Sequence, residues 1–375
     1  MQPATSTIKS AVIIGGGIFG VSTAARLTRM GVSVTLLNDG PLGSGASGRS
    51  LAWLNSARRR SLPYHQLRLA GITRYRSLSD RYPEANWLDF SGGLTWDADD
   101  EDNEIAEIFR YERDLGYQAE LLTGSQVSAS IPGVNGNAVT APGAILNANE
   151  GWVDLPALIA LLADEIKAAG GRIVTDAGKA GLIVSQGRAS GARTADGEEF
   201  PGDAVLLATG ASVPAMVAEH GVEIANASPI ALLVETRPVR HPLRAVLNTP
   251  RVAIRPTPNG AFFLDSGWSE EEVVVHGDGS FEARPETVAG LIEEARKVLD
   301  PVPDLEVAAV HLGPKPIPGD GDPVFGTLQT LPGCYVAFSH SGATLGLIAG
   351  ELLAEEMALS YRHPMLAEFR PERFD

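Results

Sequence analysis

Ala11-Val12-Ile13-Ile14-Gly15-Gly16-Gly17-Ile18-Phe19-Gly20 delivers a short apolar run straight into a glycine cluster. A helical pattern from Ile18 to Met30 follows, and then a second apolar run, Val32 to Leu37. The periodicity predicts strand, turn, helix, strand. Gly15, Gly17 and Gly20 stand in the order G-x-G-x-x-G, and each meets a distinct physical need. The first makes the tight turn, the second lets a pyrophosphate touch the backbone, and the third lets the helix lie close on the sheet. The positive end of the helix then faces the phosphates. The expectation is a dinucleotide-binding βαβ unit.

At the end of the second strand, where an acidic side chain normally accepts a ribose hydroxyl, stand Asn38 and Asp39. An amide oxygen can accept the same bond without charge assistance; alternatively Asn38 opens a turn with Asp39-Gly40-Pro41. The next stretch, Gly43-Ser44-Gly45-Ala46-Ser47-Gly48-Arg49-Ser50, is too polar and glycine-rich for a regular element. Its backbone N–H groups and the Arg49 cation suit a diphosphate or the edge of a flat cofactor.

The texture of the first unit returns twice. Leu155 to Ala169 reads as a helix stopped by Gly170-Gly171, with strands at Arg172 to Thr175 and Ala204 to Ala208; near the end come a strand at Cys334 to Phe338 and a helix from Thr344 to Met357. The intervening stretches are richer in aromatics, Pro and short alternating runs such as Ala261-Phe262-Phe263-Leu264. The expected organisation is an α/β (α+β) chain. A discontinuous Rossmann-like domain takes residues 1–84, 149–222 and 309–375, and a mixed-sheet domain takes 85–148 and 223–308.

Composition narrows the partners. The 375 residues carry 46 acidic against 30 basic side chains, a formal charge of −16 that opposes attraction to nucleic acid or an anionic membrane. The single cysteine, Cys334, cannot form an intrachain disulfide, and no His/Cys spacing suggests a metal, so a reducing, cytoplasmic setting is expected. The apolar stretch near the N-terminus is broken by glycines and falls far short of a membrane span.

Five features in this order carry a resemblance across nearly the whole chain: the βαβ unit, the Gly-Ala-Ser-Gly-Arg-Ser loop, Ala208-Thr209-Gly210, the loop Pro316-Ile317-Pro318-Gly319-Asp320-Gly321-Asp322-Pro323, and Ser339-His340-Ser341-Gly342-Ala343-Thr344-Leu345. Together they resemble the D-amino-acid oxidase family of FAD-dependent oxidoreductases. The resemblance implies a flavoenzyme that moves a hydride from the carbon beside an amine to flavin N5, with a substrate domain roofing the flavin ring and oxygen or another acceptor taking the electrons. The cofactor contacts it implies are Gly15, Gly17, Ile18, Phe19 and Gly20; Asn38 and Asp39; Ser44, Gly45, Ala46, Ser47, Arg49 and Ser50; Lys179; Ala208, Thr209 and Gly210; and Gly342, Ala343, Thr344 and Leu345.

The helix that starts at the last of these motifs would aim its N–H groups at the flavin N1–C2=O edge and stabilise the reduced, anionic state. Lys315 stands where relatives usually carry an arginine that grips the substrate carboxylate; lysine keeps the charge and loses the bidentate fork. Lys315 and the strand-end His340 are the candidate catalytic residues. Trp53, Arg251, Arg255, Phe263, Trp268 and His311 are candidates on the substrate side. No general base and no nucleophile–base pair is expected, and neither Cys334 nor a histidine near Trp53 lies where covalently flavinylated relatives attach FAD. A 2-hydroxy-acid oxidase of the same fold, or a flavin-binding subunit without turnover, stays open beside the amine-oxidising reading.

Overall fold

The computed structural model describes residues 7–374, which gather into two compact units. The first comprises the described residues up to Gly48, Leu155–Pro229, and those from Pro314 on; the second comprises Arg49–Asp154 and Ile230–Gly313.

The first unit is built on a six-stranded sheet. Ser10–Ile14 pairs in parallel with Ser33–Leu37 on one side and Ala204–Leu207 on the other. Arg172–Val174 and Cys334–Phe338 extend the parallel order outward, and Val324–Thr327 closes one edge antiparallel. Ile13, Leu36, Leu206 and Val336 are completely buried, as expected of a parallel sheet covered on both faces; on one of them Val12, Leu207 and Val336 pack with Ala189, Ala192 and Phe200 of a three-stranded antiparallel sheet. The helix Ile18–Arg29 follows the glycine turn, and Val21, Ala24 and Leu27 bury its inner side; each large apolar side chain removed from water stabilises the fold by about 1.5–3 kcal/mol. It lies tightly against the C-terminal helix Gly342–Leu359. The Ser22 hydroxyl donates to the Gly346 carbonyl at 2.6 Å, and a Cβ on Gly350 would stand 2.3 Å from Ser22 Oγ.

The second unit contains an eight-stranded mixed sheet. One face presents Leu94, Leu247, Ile254, Leu264 and Val234 to the helix Pro285–Val298, whose Leu291, Ile292, Ala295 and Val298 complete the core. Because side chains alternate along a strand, the other face carries Arg255, Phe263 and Glu235 in one cross-strand row. A small sheet joins Trp53–Leu54 and Leu88–Asp89 to Gly151–Val153.

That small sheet corrects the expected boundary at 84/85. Residues 49–84 group with the second unit, because Trp53–Leu54 is hydrogen-bonded to a strand of that unit and the helix Leu62–Arg81 follows it. The other boundaries differ by a few residues, falling at 154/155, 229/230 and 313/314.

Candidate functional site

The three motif glycines are not equivalent. Gly15 has φ +115°, and a Cβ there would lie 2.3 Å from the Ala208 carbonyl oxygen; a Cβ on Gly20 would lie 1.9 Å from the Gly15 oxygen. The protein itself therefore demands the first and third. At Gly17 a Cβ would meet only Ser47 Oγ, at 3.2 Å, so the protein leaves open a space beside the helix N-terminus that any side chain would fill. The first turn carries no acidic residue, and Gly17 offers no side-chain cap. One of its N–H groups is met from outside: Ile18 donates to Ser47 Oγ at 3.0 Å. The hydroxyl accepts this bond and keeps its own proton to donate, so helix end, Gly17 and Ser47 together form a cradle suited to phosphate oxygens.

Asn38 resolves toward its turn reading. Its Oδ1 accepts from Gly16 N–H at 2.7 Å, while Nδ2 donates to the carbonyls of Gly40 and Pro41 at 2.8 and 2.9 Å. The amide staples the glycine turn to the turn after the second strand, which only a side chain with both a donor and an acceptor can do. Asn38→Asp, although it restores the acidic residue common at such positions, should therefore destabilise the fold by about 1–3 kcal/mol. Thermal unfolding of the variant checks this, and an unchanged or raised melting temperature contradicts it.

Around this staple the structure gathers further expected contacts. Gly43 N–H donates to the Gly16 carbonyl at 2.9 Å, and Ala46–Gly48 forms a 3-10 turn. Ala177 N–H donates to the Asn38 carbonyl at 3.0 Å, which places the loop bearing the exposed Lys179 beside the turn bearing the exposed Asp39. Ser44 and Gly45 are exposed at the loop tip. Arg49 and Ser50 belong to the second unit. The Arg49 guanidinium lies on Gly313, where a Cβ would come within 2.5 Å of Nη2, and its burial lowers its pKa. Ser50 Oγ accepts from Ala52 N–H at 2.9 Å.

A second helix N-terminus approaches the first. Gly342 opens the C-terminal helix, and a Cβ there would stand 3.5 Å from Ile18 Cγ2 and 3.9 Å from Phe19 Cε2. Ala343, Thr344 and Leu345 are buried behind it, and this first turn also lacks an acidic residue. Ser341, at the N-cap, provides no side-chain cap to this helix. The two helix N-termini, with Ala208 buried and Thr209-Gly210 just after the neighbouring strand, lie at the carboxyl ends of the parallel strands, where their positive dipole ends favour an anion.

The proline-rich loop is positioned by a short zipper: Lys315 N–H donates to the Pro229 carbonyl at 2.9 Å, Ile317 N–H to Ser228 Oγ at 3.1 Å and Gly319 N–H to the Ala225 carbonyl at 2.7 Å. Lys315 is half-buried and His340 exposed. Asp320 serves structure instead: its carboxylate receives Arg373 Nε at 2.6 Å and Nη2 at 2.9 Å, and that guanidinium holds its pKa below the ordinary value.

In the second unit, three of the six substrate-side candidates meet. The Arg255 guanidinium lies 4.6 Å from the Phe263 ring centre, Phe263 packs edge-on to His311, and His311 Nε2 stands 3.2 Å from Glu235. Arg251 and Trp268 form a separate hub, with the guanidinium 4.5 Å from the indole, whose N–H donates back to the Arg251 carbonyl at 2.8 Å. Trp53 lies beside Gly93 and pairs across the small sheet with Trp152, whose ring stands 5.4 Å from the Arg255 guanidinium.

Sequence reading missed a buried polar network. Ser56 Oγ lies 2.8 Å from His65 Nδ1, a nucleophile–base distance, yet both residues are shut away at 1% and 2% exposure. Glu150, wholly buried, accepts from Tyr117 Oη at 2.5 Å and Ser56 N–H at 3.0 Å, and no hydrogen bond reaches its Oε2. Burial pushes its carboxyl up to about 8 from 4.5. Between those values the unfolded chain has released a proton that the folded chain retains, so this stabilisation is complete below the lower value and lost as pH rises through the upper. The wild-type melting temperature should therefore fall from pH 5 to pH 8 more steeply than that of Glu150→Gln. Part of the slope will remain in the variant, since burial also raises Glu112. Parallel melting curves would contradict this assignment.

The fold is of the Rossmann type, with a glycine-rich turn and two helix N-termini at the carboxyl ends of its parallel strands. More particularly, the chain belongs to the DAO family of FAD dependent oxidoreductases, whose model matches residues 10–356. It is similar to glycine oxidase of Geobacillus kaustophilus, at 25% identity over 92% of this chain and 91% of that one. Among solved structures it resembles glycine oxidase from Bacillus cereus, with TM-score 0.79, 19% identity and coverage of 96% and 98%. It likewise resembles an L-amino acid deaminase from Proteus vulgaris lacking its insertion sequence, with TM-score 0.82, 17% identity and coverage of 100% and 96%. The chain is thus an FAD-dependent enzyme with a mixed α/β fold. Among the described residues no helix is long and apolar enough to cross a membrane.

Proposed function

We propose that this enzyme oxidises the C–N bond of a small amine or amino acid, with FAD held non-covalently on the first unit. The observation that carries the cofactor part is the pair of helix N-termini, neither with an acid in its first turn, meeting beside a glycine that the protein does not itself require. In this reading the backbone around Gly15, Gly17 and Gly20, the Phe19 N–H, and the Ser47 hydroxyl that the Ile18 N–H orients would hold the pyrophosphate. Asn38, Asp39, Lys179 and the residues from Ser44 to Gly48 would frame the nucleotide, and Ala208, Thr209 and Gly210 line the strand end. Gly342, Ala343, Thr344 and Leu345 open the second helix, whose positive terminus would favour the reduced form of a flavin bound beside it. FAD, when bound, accepts the two electrons that the polypeptide cannot.

Similarity to a glycine oxidase over nine-tenths of the chain supports the amine part. Lys315 supplies a cation that can attract a substrate carboxylate, and His340 is a polar group just past the end of the strand Cys334–Phe338. Hydride loss from a neutral amine needs no general base, which agrees with a Ser56–His65 pair closed to solvent. Non-covalent binding is supported by Cys334, fully buried and with its thiol pushed up to about 12. The test is product analysis after aerobic or dye-coupled turnover with amino acids, N-methyl amino acids and their 2-hydroxy analogues. Release of ammonia or a primary amine together with a carbonyl product is expected. Turnover confined to the hydroxy acids would replace this reading with C–O oxidation.

A further inference from the structure

Two carboxylates of the second unit, Glu150 and Glu112, are 0% and 2% exposed, and among the described residues no cationic side chain is hydrogen-bonded to either. Both oxygens of Glu112 receive donors: Oε1 the Arg58 N–H at 2.6 Å, and Oε2 the Asn147 Nδ2 at 2.9 Å. Glu150 is only half supplied. Its Oε1 accepts from the Tyr117 hydroxyl and the Ser56 N–H, while Oε2 has no hydrogen bond. Asn147 Oδ1 is in the same condition, buried and without a donor. The sheet register brings these two oxygens into one space. Asn147 is the cross-strand partner of Gly93, so the two side-chain positions share a face about 5 Å apart, and a Cβ on Gly93 would lie 2.4 Å from Glu150 Oε2. Glu150 thus occupies the room that glycine leaves beside the Asn147 amide.

Two acceptors in a dry space need one hydrogen between them, and a single proton supplies it. We infer that Glu150 is a neutral acid that donates from Oε2 to Asn147 Oδ1, that Asn147 Nδ2 links it to an ionised Glu112, and that this chain is a pH-sensitive latch on residues 55–58. Through their Oε1 atoms the two acids hold the N–H groups of Ser56 and Arg58. Ala52 and Arg58 take left-handed φ angles of +53° and +66°, which residues with a side chain keep only where the surroundings hold them. The neighbouring charges assign the proton. Arg58 and Arg60 favour the ionised form of Glu112. Burial, and then the Glu112 charge, oppose ionisation of Glu150; Arg68, from the helix Leu62–Arg81, favours it but acts only through space, with hydrogen bonds to Asn55. Burial keeps Tyr117 protonated and holds His65 below its ordinary value.

Infrared spectroscopy of the whole protein reads the proton directly, through the carbonyl stretch that a buried carboxylic acid has and a carboxylate lacks. Wild type should show this band at pH 6, shifted in D2O, and lose it around a midpoint of about 8. Glu150→Gln should lack the band and Glu112→Gln should keep it. Hydrogen exchange of the peptide spanning residues 55–58 reads the latch. Corrected for the intrinsic pH dependence of exchange, opening should rise about tenfold per pH unit between pH 6 and 8 in wild type. It should be much flatter in Glu150→Gln, whose amide donates to Asn147 as the acid did. If the variants do not fold, wild type decides alone: band and exchange must titrate with one midpoint. No acid band at pH 6, a band that survives in folded Glu150→Gln, or equal exchange slopes in the two proteins would overturn the latch. A melting temperature that rises when sodium or potassium replaces choline, without an acid band, would overturn it too, since a metal ion would then fill the space. None of these measurements involves turnover, so the amine-oxidising reading stands or falls separately.

Discussion

Gly17→Val should empty the enzyme of flavin without unfolding it. A Cβ at this position meets only Ser47 Oγ, at 3.2 Å, a contact that the hydroxyl can relieve by a small movement. The added methyl groups would nevertheless occupy the space beside the Ile18–Arg29 helix terminus that the proposed cradle offers to a pyrophosphate. A loss of roughly a hundredfold in FAD affinity, about 2.8 kcal/mol, is the expected scale. The informative control is Gly20→Val, whose Cβ would sit 1.9 Å from the Gly15 carbonyl oxygen. That variant should lose fold and flavin together. Flavin content after purification and the melting temperature of the flavin-free protein separate the two. Gly17→Val that purifies with full flavin would remove the cradle from the assignment.

Arg370→Met should be among the most damaging substitutions far from any chemistry. The Arg370 guanidinium holds Glu356 by two parallel bonds, Nη1 to Oε2 at 2.8 Å and Nη2 to Oε1 at 2.6 Å, and donates a third to the His363 carbonyl at 2.9 Å. Their side chains are only 6% and 1% exposed. Glu356 belongs to the C-terminal helix that begins at Gly342, so the pair clamps the far end of that helix to the turns that follow it. Removing the cation strands a buried carboxylate, at about 3–5 kcal/mol. Replacing both partners, Glu356→Leu with Arg370→Met, should recover most of that loss, because the cost lies in the unpaired charge. Chemical denaturation of the single and double variants tests the pattern; a double variant as unstable as the single would contradict it.

These effects differ in how far they could be read from the sequence. The run Ala11 to Leu37 yields its strand, helix and strand because apolar periodicity and glycine placement are local signals, and the structure puts Ser10–Ile14, Ile18–Arg29 and Ser33–Leu37 there. Which of these glycines the protein itself requires was not legible, since it depends on Ala208 and Ser47, distant in sequence and brought close by the parallel sheet and the loop. Asn38 left two readings open for the same reason: its partners are backbone groups whose direction no pattern encodes. The boundary at 84/85 was misplaced because residues 49–84 include a long helix, Leu62–Arg81, that looks like more of the first texture, while their allegiance is set by two residues of strand pairing. Arg255 interrupts an apolar strand, which was a usable signal. Its aromatic surroundings were not, because Phe263 and Trp152 arrive from other segments. The network of Ser56, His65, Tyr117 and Glu150 is likewise assembled from separate stretches.

The measurement that bears most directly on the function is anaerobic mixing of the purified protein with amino acids, N-methyl amino acids, simple amines and 2-hydroxy acids, following the visible absorbance of oxidised flavin. An FAD spectrum that is bleached by one class of amine, and left intact by the corresponding hydroxy acids, is the expected result. A flavin that no amine bleaches would contradict C–N oxidation while leaving the fold in place.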